Sequence, residues 1–563
     1  MRLTVRRRRL LTRAAPLGGI AAVAFAAGVL SATSSGRAER ALVTSYVAAW
    51  ARGDYAHMYD LLDPTSQHLT SLSQLRDQYA AAATTATLVA VMPGKVGHRQ
   101  GDLVPVPVRL TTRLFGTMRA TLEVPLLGGG SSARVQFSPR LLFPGLLPGE
   151  TLSRQVTLPP RAALLARDGV ALAEGPARSS PIADVASQIA GRLGPIPAAD
   201  VAAYAAAGYP PDARVGISGL ERVFQQELAG TPGGTLLAGA RALAATVPQA
   251  GVSVTTTIDP TIERAVVSAI GGRAAGIAAM DPRTGELLAL AGFAFSVLQP
   301  PGSTMKIITA TGALEAGLVK LDDTFEIRTE ATLDGVRLQN ANGEACGGTF
   351  LNAFAVSCNS VFAPLGARLG AAKLVDVAER FGFNQPSAIP GAAESLMPAA
   401  SDLRDDLAVG SAAIGQDKVQ ATALEMTDVG ATIAMGGRRP VPTLRLGAPP
   451  RFVRVTSDHI AALVQRMMVA VVEFGTGTAA QITGVKVAGK TGTAELRNTT
   501  QPASDPAAPP PSSPLNTDAW FVGYAPAGAP RIVVGALFPE QGGGGTTAAP
   551  AVHDVLAAAL HRG

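Results

Sequence analysis

A serine and a lysine three residues apart, Ser303 and Lys306, are the side chains in this sequence best placed to do chemistry together. Residues at this spacing share a helix face, so the hydroxyl and the amine can come within hydrogen-bonding distance. A serine hydroxyl is a weak nucleophile, but an amine whose pKa is lowered by burial or by a second cation can accept its proton. The pair therefore predicts a nucleophile with its base. The alternative is a serine cap followed by a solvated lysine.

The residues around this pair predict a helix that runs through a core. Pro300, Pro301 and Gly302 interrupt the chain just before the serine. The residues that follow leave almost no polar face, as in a helix surrounded by protein: Met305, Ile307, Ile308, Ala310, Ala313 and Leu314. Lysine is rare in this chain, with seven among 48 basic residues, and only lysine can lose its proton and act as a base here.

Two further segments carry polar groups that could complete an active site. In the first, Ser357 and Asn359 flank Cys358 and interrupt an apolar run, and buried polar groups need partners. The second is predicted to be a strand whose glycine lets a ligand approach the backbone, while its lysine can bind a carboxylate. It consists of Lys490, Thr491, Gly492 and Thr493.

In this order, Ser-x-x-Lys, Ser-x-Asn and Lys-Thr-Gly resemble the three active-site motifs of penicillin-binding proteins and serine β-lactamases. The resemblance covers most of residues 251–563 and is to the class B, monofunctional transpeptidases, of actinobacterial type. Further segments carry it: 257–259, 280–286, 414–416, 475–480 and 518–524. It implies a multidomain α/β (α+β) protein whose last domain has an antiparallel sheet flanked by helices plus an all-helical part.

The resemblance also implies a reaction: D,D-transpeptidation of peptidoglycan stem peptides ending in D-Ala-D-Ala, with inhibition by β-lactams and a D,D-carboxypeptidase side activity. Ser303 would form the acyl-enzyme with Lys306 as base, while Ser357 and Asn359 would relay a proton and hold the substrate amide. The substrate carboxylate would be bound by Lys490 and Thr491, and the oxyanion by the backbone N–H groups of Ser303 and Thr493. No metal or cofactor is expected.

Two other functions fit the same motifs. A β-lactamase or D,D-carboxypeptidase would use water instead of an amine to resolve the acyl-enzyme, although a large anchored pedestal argues against a freely diffusing β-lactamase. A non-catalytic β-lactam sensor or divisome scaffold would keep the fold for binding alone, but the three intact motifs argue against it.

The charge distribution points to a membrane and not to nucleic acid. The formal net charge of +6 equals the contribution of six arginines with no acid among them: Arg2, Arg6, Arg7, Arg8, Arg9 and Arg13. Residues 14–36 carry no charge and are long enough to span a bilayer, and the basic flank should stay in the cytoplasm. We expect a single-pass anchor in the bacterial cell membrane with the catalytic part outside. A cleaved signal peptide is the alternative.

Cys346 and Cys358 are the only cysteines in the chain. An oxidising exterior would permit a disulfide between them, whereas the alternative is two unpaired thiols packed as small apolar groups.

The predicted organisation has four parts. A basic tail and anchor (1–37) precede an α+β domain (38–140) that resembles the nuclear-transport-factor-like domain of the low-affinity transpeptidase subgroup. A pedestal of the dimerisation type (141–250) follows. It resembles the segment that opens the class B core, but the match is imperfect, since Ala162 and Ala166 stand where glycine and aspartate are usual. The transpeptidase domain comes last (251–563). The chain shows no glycosyltransferase domain, so a separate glycosyltransferase partner is expected.

The segment from Asn498 to Asn516 is rich in proline and poor in large apolar side chains. Such a composition cannot fold alone. It predicts either a tolerated surface insertion or a loop that gates the mouth of the active site.

Overall fold

The computed structural model describes residues 34–496 and 513–561, which form two compact units that alternate along the chain. The first unit comprises residues 34–162, 193–217 and 229–252; the second comprises 163–192, 218–228, 253–496 and 513–561. The predicted pedestal, 141–250, therefore contributes to both units. The predicted anchor and most of the proline-rich segment lie outside the described residues. In the described ranges, no helix is long and apolar enough to cross a membrane.

The α-helices of these ranges, in chain order, are α1 Ser34–Arg52, α2 Tyr55–Asp60, α3 Pro64–Leu69, α4 Leu72–Ala86, α5 Ala183–Ile189, α6 Val201–Ala206, α7 Gly219–Val223, α8 Gln225–Ala229, α9 Pro260–Ile270, α10 Lys306–Glu315, α11 Phe350–Ala355, α12 Asn359–Leu369, α13 Ala371–Phe381, α14 Asp406–Ala413, α15 Ala423–Ala434, α16 Asp458–Glu473 and α17 Ala549–Leu560. Short 3-10 helices span Gly130–Ser132, Pro139–Leu141, Ala198–Asp200, Gly302–Met305, Ala341–Gly343, Thr478–Ala480 and Pro514–Asn516, and a π-helix spans Gly544–Ala548.

The strands are β1 Leu88–Pro93, β2 Leu103–Thr112, β3 Thr117–Leu127, β4 Arg134–Val135, β5 Leu152–Thr157, β6 Leu164–Leu165, β7 Ala171–Ala173, β8 Leu193–Pro195, β9 Arg214–Gly216, β10 Gly233–Ala238, β11 Arg241–Thr246, β12 Val254–Thr255, β13 Gly276–Asp281, β14 Glu286–Gly292, β15 Thr324–Arg328, β16 Glu330–Leu333, β17 Val336–Gln339, β18 Cys346–Thr349, β19 Arg438–Pro440, β20 Phe452–Arg454, β21 Ala488–Glu495, β22 Thr517–Ala525 and β23 Ile532–Phe538.

The first unit is an α+β structure. Helices α1–α4 precede an antiparallel sheet in the order β1-β2-β3-β4, and alternate residues of β2 are buried, as expected for a sheet with one face on a core. A second sheet, β11-β10-β5, and the pair β8–β9 complete this unit. The α+β composition expected for residues 38–140 is confirmed by α1–α4 and by the long strands β2 and β3. The likeness to a nuclear-transport-factor domain stays a prediction.

The second unit is built on a five-stranded antiparallel sheet in the order β14-β13-β23-β22-β21. One face packs against α9 and α17, and Phe521, Val534 and Val552 belong to the core between them. Helix α15 packs on the other face, where Gly430 lies against Val522, and α16 packs against the edge strand β21. The expected antiparallel sheet flanked by helices is confirmed. The strand β21, which carries the Lys-Thr-Gly motif, lies at the edge of this sheet.

Helix α10 lies inside the helical part of the second unit. Every residue from Lys306 to Leu314 is buried, which confirms the helix expected to run through a core. It packs against α12, α13 and α16. Two short antiparallel pairs, β15–β18 and β16–β17, lie in the sequence between α10 and α11. The second of these places its last residues next to the Ser-x-Asn segment.

Candidate active site

Ser303 lies in a 3-10 turn that packs against the edge strand β21. Two glycines permit this contact: a Cβ on Gly302, whose φ is +52°, would lie 2.9 Å from the backbone of Thr493, and one on Gly492 would lie 2.7 Å from Pro301 O. Gly302 N also donates to Gly415 O at 2.9 Å. The turn therefore presents the half-buried Ser303 beside the Lys-Thr-Gly strand.

Lys306 begins helix α10 and is fully buried. Its Nζ donates to Ser357 O at 2.7 Å, to Asn359 Oδ1 at 2.7 Å and to Ser357 Oγ at 3.3 Å. Among the described residues it donates to no atom of Ser303. The spacing of the first motif thus places the amine in the site, but its hydrogen bonds go to the second motif.

Lys490 reaches the same hydroxyl from a different element, the edge strand β21. Its Nζ donates to Ser357 Oγ at 2.8 Å and to Thr491 O at 3.0 Å, and its side chain is fully buried. The Ser357 hydroxyl therefore bridges two lysine amines that come from a helix and from a sheet strand. The structure thus brings one residue from each of the three predicted motifs into direct contact.

Both amines have pKa values below that of an ordinary lysine. Burial lowers the pKa of Lys306 well below its usual value, and the nearby charge of Lys490 lowers it further. Burial lowers the pKa of Lys490 to about 7. Two ammonium groups cannot both stay charged in a site without a carboxylate partner, so a neutral amine is available at neutral pH. Such an amine can accept a proton from a serine hydroxyl.

The backbone of the second motif is held in an uncommon conformation. Ser357 has φ +65°, in the left-handed region that residues other than glycine seldom adopt. A disulfide joins the next residue, Cys358, to Cys346 of β18. The structure therefore contains the cysteine pair and not two free thiols, and the bond ties the Ser-x-Asn segment to the neighbouring hairpin region.

The hydroxyls of the third motif have partners that the sequence did not identify. Thr491 Oγ1 and Thr476 Oγ1 are 2.5 Å apart, and Thr493 Oγ1 accepts from Gly544 N at 3.2 Å. Thr476 lies in the 475–480 segment noted above, which is the only sequence signal that could have pointed to it. Gly544 lies in a run of four glycines, 542–545, which sequence reasoning overlooked.

The geometry supports acyl transfer through a serine. The half-buried hydroxyl of Ser303, buried amines with depressed pKa values and an edge strand with cationic and hydroxyl groups provide a nucleophile, a base and an anion-binding surface. Within residues 34–496 and 513–561, no group of three or more His, Cys, Asp or Glu side chains is placed to hold a metal ion.

Two domain families match the chain. Residues 275–557 match the penicillin binding protein transpeptidase domain, and residues 157–240 match the penicillin-binding protein dimerisation domain. The first match covers all three motifs described above. The second lies inside the region predicted to be a pedestal.

Individual proteins resemble this chain over more than half of its length. Peptidoglycan D,D-transpeptidase PbpA of Mycolicibacterium smegmatis is 32% identical over 377 residues, which cover 56% of this chain and 73% of that protein. The crystal structure of the D,D-transpeptidase domain of a peptidoglycan glycosyltransferase from Eggerthella lenta matches with a TM-score of 0.59 and 30% identity, over 72% of this chain and 99% of that one. The ceftriaxone acyl-enzyme complex of penicillin-binding protein A from M. tuberculosis matches with a TM-score of 0.55 and 25% identity, over 71% and 98% of the two chains.

Proposed function

This chain belongs to the penicillin-binding protein transpeptidase family, and from that premise we propose that it is a class B D,D-transpeptidase that cross-links peptidoglycan stem peptides and is acylated by β-lactams. The observation that carries the proposal is the contact of Lys306 and Lys490 with one hydroxyl, that of Ser357, next to the turn of Ser303. An acyl transfer site needs a nucleophile, a neutral base and a group for the substrate carboxylate, and these residues supply all three.

Acylation begins at Ser303. Neutral Lys306 keeps its two N–H groups on Ser357 O and Asn359 Oδ1, and its lone pair accepts the hydroxyl proton of Ser303. Ser303 Oγ then forms a bond to the carbonyl carbon of the penultimate D-alanine. Burial keeps this amine neutral, because the ammonium form would lose its hydration without gaining a carboxylate partner. When the tetrahedral intermediate collapses, the bond to the terminal D-alanine breaks and that residue leaves as an amine.

The leaving amine needs a proton, and Ser357 is positioned to relay it. Its hydroxyl lies 3.3 Å from Lys306 Nζ and 2.8 Å from Lys490 Nζ, so a proton taken up at Lys306 can pass through it to the departing nitrogen. Asn359 holds the substrate amide in this scheme. An amine from a neighbouring stem peptide then attacks the acyl-enzyme and restores Ser303.

The third motif binds the end of the substrate. Lys490 and Thr491 bind the terminal carboxylate, and the approach of this anion restores the ammonium form of Lys490, whose pKa in the free site is about 7. Glycine at position 492 keeps the strand close to the nucleophile turn. The backbone N–H groups of Ser303 and Thr493 hold the oxyanion, and loss of one such donor typically costs about 3–4 kcal/mol in transition-state stabilisation.

The surrounding parts of the chain fit an enzyme of the cell envelope. We propose a single-pass membrane anchor within residues 1–37, with the catalytic part outside the cytoplasm. The Cys346–Cys358 disulfide supports an extracytoplasmic site, because such bonds persist in oxidising compartments. A nuclear-transport-factor-like spacer, a pedestal and a separate glycosyltransferase partner complete the proposal.

Mass spectrometry of the intact protein after incubation with a fluorescent penicillin tests the proposal. We expect one adduct per chain, located on the peptide that contains Ser303, and none in Ser303→Ala. The matched control Ser268→Ala removes an exposed hydroxyl and should be labelled like the wild type. Labelling that persists in folded Ser303→Ala would contradict the assignment of the nucleophile.

A further inference from the structure

The helix that carries the second motif begins without a cap of its own. Helix α12 starts at Asn359, and its N-cap residue, Cys358, makes no side-chain hydrogen bond to the helix and has its sulfur in the disulfide. The first N–H groups of a helix have no partners within the helix, and a serine, threonine, asparagine or aspartate at the N-cap usually accepts from the second or third residue. This role must be filled from elsewhere or left to solvent.

Asn340, twenty residues upstream, fills it. Its Oδ1 accepts from Ser360 N at 2.8 Å, and Ser360 is the second residue of the helix. This is the hydrogen bond that an N-cap side chain would make, supplied here by a residue that follows the β16–β17 hairpin. Asn340 therefore acts as a remote cap.

Asn340 is itself held rigidly. Its side chain is 5% exposed, and its Nδ2 donates to Arg328 O at 2.7 Å and to Glu344 O at 2.9 Å. The carbonyl of the preceding residue, Gln339, accepts from Asn359 Nδ2 at 2.8 Å. Gln339 therefore holds the side chain of the first helical residue, Asn359, and Asn340 holds the backbone N–H of the second, Ser360.

The start of α12 is linked to Lys306, the base of the proposed reaction, by the side chain of Asn359. Asn359 Oδ1 accepts from Lys306 Nζ at 2.7 Å, and Ser357, with its positive φ, immediately precedes the N-cap residue Cys358. A shift at the helix start would move both contacts of the amine, and displacements of about 1 Å in such sites can cost about 100-fold in rate. Resting on the proposed function, we propose that Asn340 is a positioning residue that caps the Ser-x-Asn helix and holds Asn359 and Ser357 against Lys306.

Variants of the full chain can separate this role from general support of the hairpin. Asn340→Ala removes the acceptor, and we expect its second-order rate constant for acylation by penicillin to fall about tenfold, because a partial displacement of Asn359 and Ser357 misaligns the base. Asn340→Asp keeps an oxygen at Oδ1 for Ser360 N, but its second oxygen faces Arg328 O and Glu344 O, so the buried carboxyl should bind a proton and donate it to one of these carbonyls. We expect its rate constant to stay within about threefold of the wild type. Arg337→Ala is the control, since this exposed residue of the same hairpin pairs only with Glu330 among the contacts in the structure.

A second readout is the pH profile of acylation. The amide oxygen of Asn359 favours the ammonium form of Lys306, so its displacement in Asn340→Ala should move the acid limb to lower pH. A residue that merely supported the fold would leave this limb unchanged. The control variant should keep the wild-type profile.

The outcomes are distinct. Wild-type protein that forms no adduct at all contradicts the proposed function itself. With wild-type acylation intact, slow Asn340→Ala and active Asn340→Asp support the cap, as does an unfolded alanine variant beside an active aspartate variant. The inference is overturned if Asn340→Ala acylates within about twofold of the wild type, or if both variants fail equally, because the donated bonds to the loop would then matter and not the cap.

Discussion

Replacing Lys490 with methionine should stabilise the protein while removing its ability to bind substrate. The side chain is fully buried, and burial lowers its pKa from 10.5 to about 7. Each unit of difference between the folded and unfolded pKa corresponds to about 1.4 kcal/mol, so keeping this amine uncharged costs about 4 kcal/mol at pH 7. The variant also loses two hydrogen bonds, to Ser357 Oγ and Thr491 O, worth about 1 kcal/mol each. The expected net gain is about 2 kcal/mol.

The pH dependence of this gain in unfolding free energy tests the pKa of Lys490 more sharply than its size at a single pH. Between about pH 7 and 10.5 the unfolded lysine binds a proton that the folded one does not, so raising the pH stabilises the wild type across this window. Lys490→Met lacks this contribution, whereas Lys306, whose pKa is also lowered by burial, contributes to the pH dependence of both proteins, so the difference between their stabilities isolates Lys490. The difference between the two proteins should therefore narrow by about 2 kcal/mol from pH 7 to pH 9.

Urea unfolding can report on the relevant unit alone. The chain has two tryptophans, Trp50 in the first unit and the buried Trp520 on β22. In a Trp50→Phe background, fluorescence follows Trp520 and hence the unit that contains the site. Lys486→Met is a matched control, because the Lys486 side chain is 76% exposed. Its removal should change neither the cost of burying an amine nor the hydrogen bonds that Lys490 makes. A stability difference that stays constant from pH 7 to pH 9 would refute the depressed pKa of Lys490.

Three further predictions concern the reaction. Lys306→Arg should acylate as poorly as Lys306→Ala, because a guanidinium keeps its proton at neutral pH; a normal labelling rate in the arginine variant would disprove Lys306 as base. The acylation rate should rise as Lys306 loses its proton, well below the usual lysine pKa, and fall above about pH 7 as Lys490 loses its charge. A penicillin methyl ester should lack that fall, and equal alkaline limbs for acid and ester would count against carboxylate binding by Lys490. The penicillin adduct on Ser303 should persist for minutes after free drug is removed, because the retained leaving group blocks an incoming amine; loss within seconds with turnover would indicate a β-lactamase.

Short motifs were sufficient to identify the residues that the structure brings together at the candidate site. Ser-x-x-Lys, Ser-x-Asn and Lys-Thr-Gly each carry a group that a serine acyltransferase needs, and the apolar run after Ser303 predicted the burial of α10. The glycine of the Lys-Thr-Gly segment likewise indicated a strand that a ligand can approach, and the structure has β21 there. These features are local in sequence, so periodicity and residue type reveal them.

Contacts between distant segments could not be obtained in the same way. The spacing of Ser303 and Lys306 indicated a bond between them, whereas the amine donates to Ser357 and Asn359, about fifty residues away. No pattern indicated that Asn340 would cap α12, because an asparagine in a loop is most often a turn residue. The alternation of the two units between 163 and 252 also depends on tertiary packing, which periodicity does not encode.

Transpeptidation is tested most directly by the reaction of the intact protein with a stem peptide ending in D-Ala-D-Ala, with and without an amine acceptor. We predict an acyl-enzyme on Ser303, release of one D-alanine per donor consumed, and a donor–acceptor amide that forms only when the amine is present. Ser303→Ala should give none of these. Hydrolysed donor as the sole product at every amine concentration would identify a hydrolase, and donor left intact by a folded, penicillin-binding protein would identify a scaffold; either result would contradict the account.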